Sequence, residues 1–179
     1  EEDALGDLNH AIGLDRRLET AWYNKGTVLS ERGDHEDAMD CFDEALRIDY
    51  DNALALAGKG AALFHLGRYD EALLHFDQAL MKDGSLYQAW YYKGVTFFRL
   101  DILAQALECL DRAVALKASH KQSWYNRGNV LEALGRYDEA VESYDMAIRH
   151  EPDYEEAWYH KGLPLTDHDI PRRVPAGRQ

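Results

Sequence analysis

Apolar residues recur along this chain at helical spacing, and the pattern copies itself. Ala38, Phe42, Ala45 and Ile48 are three or four residues apart, which sets them on one helix face. The spacing returns at Ala72, Phe76 and Ala79, at Ala106, Leu110 and Ala113, and at Ala140, Tyr144 and Ala147. A stretch built on tryptophan and glycine precedes each run. Ala21-Trp22-Tyr23-Asn24-Lys25-Gly26 reappears as Ala89-Trp90-Tyr91-Tyr92-Lys93-Gly94, as Ser123-Trp124-Tyr125-Asn126-Arg127-Gly128 and as Ala157-Trp158-Tyr159-His160-Lys161-Gly162. A weaker copy, Ala55-Leu56-Ala57-Gly58-Lys59-Gly60, fills the gap. Gly26, Gly60, Gly94, Gly128 and Gly162 are each 34 residues apart, and a fixed period of that size predicts stacked supersecondary units without one central core.

Each period predicts a first helix, a turn and a second helix. In the unit 19–52 the first helix carries Trp22, Gly26 and Leu29, Gly33-Asp34 breaks it, and the second helix carries Ala38 to Ile48. The units 53–86, 87–120 and 121–154 repeat this, with turns at Gly67-Arg68 and Gly135. In the second unit either Leu80 or Met81 closes the apolar face, and in the third Asp101 stands where the turn glycine belongs. The glycines and paired alanines let helices approach closely, while Trp22, Phe42 and Tyr144 fill the space between them. Residues 1–18 match a second helix alone, because Ala4, Leu8, Ala11 and Leu14 align with Ala38, Phe42, Ala45 and Ile48. Glu1, Glu2 and Asp3 favour the positive end of that helix. Residues 155–163 begin a first helix that Pro164 stops. Residues 164–179, with Pro164, Pro171, Pro175 and Arg172, Arg173, Arg178, read as an extended or disordered tail after an array spanning 1–163.

Trp124, Gly128, Ala140, Tyr144 and Pro152 meet, in order, the signature of the tetratricopeptide repeat, and the chain resembles that family over residues 1 to 163. The resemblance implies an all-α fold: antiparallel helix pairs stacked into a right-handed superhelical solenoid. It also implies an activity, holding a peptide or helix in a concave groove lined by the first helices. By that resemblance the inward positions are Tyr23, Ala57, Tyr91, Tyr125 and Tyr159, with Asn24, Tyr92, Asn126 and His160 beside them. One turn on come Thr27, Ala61, Val95 and Asn129, then Phe64, Phe98 and Glu132. The candidate groove set is therefore Tyr23, Asn24, Phe64, Tyr91, Tyr92, Phe98, Tyr125, Asn126, Asn129 and Tyr159. Tyrosine offers a large contact area with few rotors to freeze, which suits peptide recognition. The alternative is that these rings pack on neighbouring helices.

Chaperone-binding members of the family grip a terminal carboxylate with lysine and asparagine on one first helix, asparagine on the next, and lysine with arginine on the third. The matching positions here are Tyr23 and Thr27, Gly58, then Gln88 and Tyr92. Shifting by one or two units supplies no cationic cluster either, so the tails of heat-shock chaperones are not expected as partners.

Two charge ladders follow the period. Lys25, Lys59, Lys93, Arg127 and Lys161 share one first-helix position; Asp43, Asp77, Asp111 and Asp145 share one second-helix position. A cation at the first position must lay its stem along the helix interface and lift its charge to a partner. The aspartates are the expected partners, in a structural role that sets register more than it adds stability. The alternative is an array of ligand-binding lysines.

Composition narrows the partner. Lysine and arginine number 20 against 33 acids in 179 residues, a net charge of −13. That disfavours nucleic acid and anionic membranes and suits a neutral or basic protein partner. Cys41 and Cys109 share a repeat position two units apart, too far to bridge, which fits a reduced, cytoplasmic setting. No apolar run reaches membrane-spanning length and no signal peptide is visible. The chain has no HExxH, no CxxC, no glycine-rich phosphate loop and no nucleophile elbow, so neither metal, cofactor nor catalysis is expected. Two further readings stand beside the interaction scaffold. The uncapped ends could stack copies head to tail, aided by residues 169–179, whose three arginines outweigh one aspartate. Or the chain, which opens Glu1-Glu2-Asp3 without methionine, could be a docking segment of a larger enzyme or signalling protein.

Overall fold

The structure, a computed structural model, describes residues 2–162; the tail read at 164–179 lies outside them. The described residues form ten helices and no strand. They are α1 (Glu2–Leu14), α2 (Glu19–Arg32), α3 (His35–Ile48), α4 (Ala53–His65), α5 (Tyr69–Lys82), α6 (Tyr87–Arg99), α7 (Leu103–Leu116), α8 (Lys121–Ala133), α9 (Tyr137–His150) and α10 (Glu155–Gly162). The chain divides after Lys117 into two compact units. In the first, successive helices from α1 to α7 pack pairwise, and α2, α4 and α6 also meet side by side. In the second, α9 packs on both α8 and α10.

The 34-residue period is enforced by one contact per helix pair. A Cβ added to Gly26 would sit 2.8 Å from Phe42, one at Gly60 2.6 Å from Phe76, and one at Gly94 2.8 Å from Leu110. Gly128 meets Tyr144 in the same way in the second unit. Only a residue without a side chain lets the first helix come down on the large residue of the second. That residue is 2% exposed at Phe42 and 0% at Phe76, Leu110 and Tyr144. The alanines one turn either side, among them Ala38, Ala45, Ala72 and Ala79, are also 0% exposed.

The turns inside the pairs use left-handed backbone. Gly33, Gly67 and Gly135 have φ of 88°, 75° and 73°. The following N–H reaches back to close the last helical turn, Asp34 to Leu29 O and Arg68 to Leu63 O, each at 2.9 Å. Asp101 holds the same conformation at φ 62° without being glycine, and Ile102 N–H closes the turn on Phe97 O at 2.9 Å. An L side chain is disfavoured there, so Asp101→Gly is expected to stabilise the first unit by up to about 1 kcal/mol, less the extra entropy of an unfolded glycine. Thermal melts of the two proteins check this, and a lower midpoint for the glycine variant counts against it.

Three details differ from the sequence reading. The tryptophans do not fill the space between helices; they brace the loops. Trp22 Nε1–H donates to Arg16 O (3.1 Å), Trp90 to Gly84 O (3.0 Å), Trp124 to Ala118 O (2.7 Å) and Trp158 to Pro152 O (2.8 Å), always six residues back. The indole needs its polar edge at that loop, so the first three rings stay half-buried and Trp158 is 50% exposed. In α5 it is Leu80 that packs on the core, while Met81 is 84% exposed. On α1 the expected stripe is not buried: Ala4 is exposed and Leu14 is 77% exposed, whereas Leu5 packs on the Leu29–Ala38–Cys41–Phe42 cluster and Ile12 is 8% exposed. In α2–α3 the equivalent stripe is covered by the first helix of its own pair, and α1 packs only through the face it turns to α2.

Candidate functional site

A pocket of about 280 Å³ lies in the first unit, over the neighbouring faces of α2, α4 and α6. From α2 come Tyr23, Thr27, Ser30 and Glu31, one residue per turn of the same helix face. From α4 come Leu54, Ala57, Gly58 and Ala61, all small except the first. Leu86, Gln88 and Tyr92 close the third side, and Phe42 of α3 contributes to the floor. The Tyr23 ring leans on Phe42 at 6.0 Å, and Thr27 Oγ1 donates to Tyr23 O at 3.1 Å, so both are fixed by their own helix pair. Burial raises the pKa of the Tyr92 phenol above its ordinary value, so it stays a neutral donor. Among the described residues lining the pocket, Glu31 carries the only charge. The arrangement offers apolar and aromatic walls, hydroxyl and amide groups, and one carboxylate.

Tyr23 and Tyr92 of the sequence-derived groove set line this pocket. The other members in the first unit lie elsewhere. Phe64 packs on Tyr69 and Tyr92 at 5.7 Å each, Tyr91 meets Tyr92 edge-on at 5.1 Å, Asn24 is exposed, and Phe98 is half-buried. In the second unit Tyr125 lies against Tyr144, Tyr154 and His160 at 6.0, 5.2 and 5.7 Å. Asn126 Nδ2 donates to Gln122 O at 2.9 Å, and Asn129 Oδ1 lies 3.0 Å from the Tyr144 hydroxyl. That hydroxyl also lies 2.7 Å from Glu132, whose Oε2 is 3.1 Å from His160 Nδ1. Burial first, then the bond to Glu132, drives the Tyr144 pKa upward, so the phenol remains protonated. Tyr159 is 66% exposed. Ser30, Glu31, Leu54 and Leu86 were not singled out by the sequence reading.

The cations of the ladder sit between an indole and a carboxylate. Lys59 reaches Asp43, Lys93 reaches Asp77 and Lys161 reaches Asp145, each at 2.5 Å. Lys25, Lys93, Arg127 and Lys161 also lie over the tryptophan three residues earlier, 5.6, 5.5, 5.8 and 5.2 Å from Trp22, Trp90, Trp124 and Trp158. Arg127 Nη1 donates to Ser143 Oγ at 2.6 Å. Asp111 is exposed on α7.

Two histidines lose basicity on folding. Burial lowers the His65 pKa, helped by the His35 ring stacked on it at 4.5 Å. Burial lowers the His75 pKa too, with Lys59 adding to the effect. A base whose folded pKa lies below its unfolded value of about 6.5 binds fewer protons folded than unfolded. Its stabilisation is complete above that value and is lost as pH falls through the folded pKa. The melting temperature should therefore drop from about pH 7.5 to about pH 5.5, and drop less in a His65→Gln, His75→Gln variant. An equal drop in both proteins would assign the acid sensitivity to other groups.

The free thiols of Cys41 and Cys109 are buried, and burial pushes Cys109 up to about 11, which keeps it protonated and unreactive. Among the described residues no group of three or more His, Cys, Asp or Glu could hold a metal ion. No helix among them is long and apolar enough to cross a membrane.

Helix pairs at a 34-residue period, sealed by a glycine on a large buried residue, are the features by which repeat families are told apart. The tetratricopeptide repeat family matches over residues 23–86 and again over 122–154, together more than half of the chain, and the chain belongs to that family. No curated protein matches the chain. Among solved structures it is similar to YrrB, described as a tetratricopeptide repeat protein with an unusual peptide-binding site, at 26% identity over 87% of this chain and 80% of that one, with a TM-score of 0.71. It is similar to MamA at 26% identity over 81% of this chain and 79% of that one, with a TM-score of 0.70. It is also similar to the first repeat domain of Spaghetti (RPAP3) bound to the HSP90 peptide SRMEEVD, at 30% identity over 63% of this chain and 90% of that one, with a TM-score of 0.60.

Proposed function

We propose that this chain is a protein-interaction scaffold that binds a peptide segment in the pocket over α2, α4 and α6, with no chemical step. The observation that carries the reading is the pocket itself, a preformed concavity walled by Tyr23, Leu54, Leu86 and Tyr92. The peptide-bound state of the similar Spaghetti domain and the peptide-binding site of YrrB support it. An acidic chain tail is not the ligand. The five positions that would form a carboxylate clamp, Tyr23, Thr27, Gly58, Gln88 and Tyr92, all line the pocket and none is cationic. The setting is cytoplasmic, where the buried thiols stay reduced.

A phage-displayed peptide library panned on the chain tests this. Selected clones should lose at least about tenfold in affinity on Ala61→Phe, which fills the pocket, while the peptide SRMEEVD should not compete with them. Clones that bind Ala61→Phe undiminished would place the contact elsewhere and end the reading.

A second reading rests on the two end helices. Ala4 and Leu14 of α1 are exposed where their counterparts Ala38 and Ile48 are not, and Trp158 and Tyr159 of α10 are 50% and 66% exposed. A Cβ at Gly162 meets nothing within 4 Å, unlike its four counterparts. One helix is a second-helix face and the other a first-helix face, so α10 of one copy and α1 of the next could complete a unit. Light scattering over a concentration series decides this; a monomer throughout removes it.

A further inference from the structure

The pocket lies where two repeat positions carry almost no side chain. At the 34-residue period, Ser30 of α2 corresponds to Phe64 of α4 and Glu132 of α8, and Gly58 of α4 corresponds to Tyr92 of α6 and His160 of α10. Where both positions carry large groups, those groups fill the space and touch each other. The rings of Phe64 and Tyr92 lie 5.7 Å apart, and Tyr92 stacks on the core ring Phe76 at 6.2 Å and 10°. In the second unit Glu132 meets His160 at 3.1 Å, and the His160 ring lies 5.6 Å from the core ring Tyr144. At Ser30 and Gly58 no such pair exists, and the 280 Å³ pocket opens there with Phe42 on its floor. The fold thus shows twice what it accepts at this place: a planar ring laid over the core aromatic residue of the pair.

We propose that the pocket takes an aromatic side chain of a partner peptide, next to a basic residue that meets Glu31. This rests on the peptide-binding reading above and names the chemistry of the peptide. The ring takes the seat held by Tyr92 and His160 in the other helix sets. Tyr23, Leu54, Leu86 and Tyr92 give it apolar and aromatic walls. The volume is just under the roughly 300–1,000 Å³ of drug-sized sites, so it suits one or two side chains and excludes a whole helix. Glu31 is exposed on α2, with no basic side chain paired to it among the described residues, so its carboxylate is open to a cation from outside. The chain's charge of −13 draws basic segments toward this face and repels acidic ones.

Three blocked hexapeptides test the proposal: acetyl-Gly-Ser-Phe-Arg-Ser-Gly-amide, the same with Glu for Arg, and the same with Ala for Phe. Each is titrated into the isotopically labelled chain, with the backbone amides of Thr27, Gly58 and Gln88 as NMR reporters. The Phe-Arg peptide should bind at least about tenfold tighter than either of the others. Glu31→Gln should bring the Phe-Arg and Phe-Glu peptides together. Ser30→Phe, which restores the side chain the other helix sets carry, should abolish binding of all three. Gly58→Tyr would restore the missing ring itself, but its Cβ would meet Phe42 at 2.6 Å, so Ser30→Phe is the decisive variant, with thermal melts confirming its fold. Equal affinities for the three peptides, no binding of any up to about 5 mM, or Phe-Arg binding unchanged in Ser30→Phe, each overturns the proposal. Phage clones blocked by Ser30→Phe that lack an aromatic–basic pair overturn it while leaving peptide binding intact. Clones indifferent to both Ser30→Phe and Ala61→Phe overturn the two readings together.

Discussion

Phe76→Ala is expected to lower the stability of the first unit by about 3–5 kcal/mol, the usual range for deleting a fully buried aromatic ring. Phe76 is 0% exposed and belongs to the cluster of Leu63, Ala72 and Ala89, with Ala57, Phe64, Leu80 and Tyr92 packed around it. Its ring touches the Gly60 backbone on one side and lies parallel to Tyr92 on the other. Truncation leaves a void between α4, α5 and α6 that neither glycine nor alanine neighbours can fill by shifting a side chain. Leu74→Ala on the same helix provides the control, since Leu74 is 56% exposed and such surface changes stay within about 0.5 kcal/mol. Urea denaturation followed by circular dichroism measures both. A Phe76→Ala loss under about 1 kcal/mol would show that the glycine–aromatic contact is not what closes the helix pair.

The element order was legible because the sequence states it five times over. Periodic alanines and glycines mark both helices, and turn glycines mark the breaks between them. The third turn shows why a chemical signal can survive the loss of its usual residue: Asp101 is among the few non-glycine types that tolerate a left-handed backbone, and it takes φ 62°. The role of the tryptophans was not legible. A large apolar ring at a periodic position reads as core filler, and only coordinates reveal that its N–H is held six residues back at a loop carbonyl. The pocket falls between these cases. A search for groove residues looks for large side chains, so it finds Tyr23 and Tyr92 but passes over Ser30 and Gly58, whose contribution is the space they leave. Aligning each position with its copies 34 residues on exposes that space, because Phe64, Tyr92, Glu132 and His160 show what is missing.

Glycine substitutions should divide by sign according to what faces them. Alanine in place of glycine inside a helix ordinarily gains about 0.5–1 kcal/mol. Gly6→Ala in α1 meets nothing within 4 Å and should realise that gain. Gly60→Ala on α4 places its methyl 2.6 Å from Phe76 Cε1 and 2.8 Å from Cδ1, closer than carbon atoms can approach. The ring is held against Tyr92 and cannot swing away, so the helices must separate or the ring must leave its rotamer. Overpacking of that kind costs about 1–3 kcal/mol or more and outweighs the helical gain, so Gly60→Ala should be net destabilising. The two changes at the contact should also be non-additive. With Phe76→Leu the added methyl has room, and Gly60→Ala should cost at least about 1 kcal/mol less in that background than alone. A double-mutant cycle by urea denaturation, with Gly6→Ala alongside, measures all of this. If Gly60→Ala stabilises as Gly6→Ala does, close approach is not the reason glycine returns every 34 residues, and its recurrence would need a cause outside helix packing.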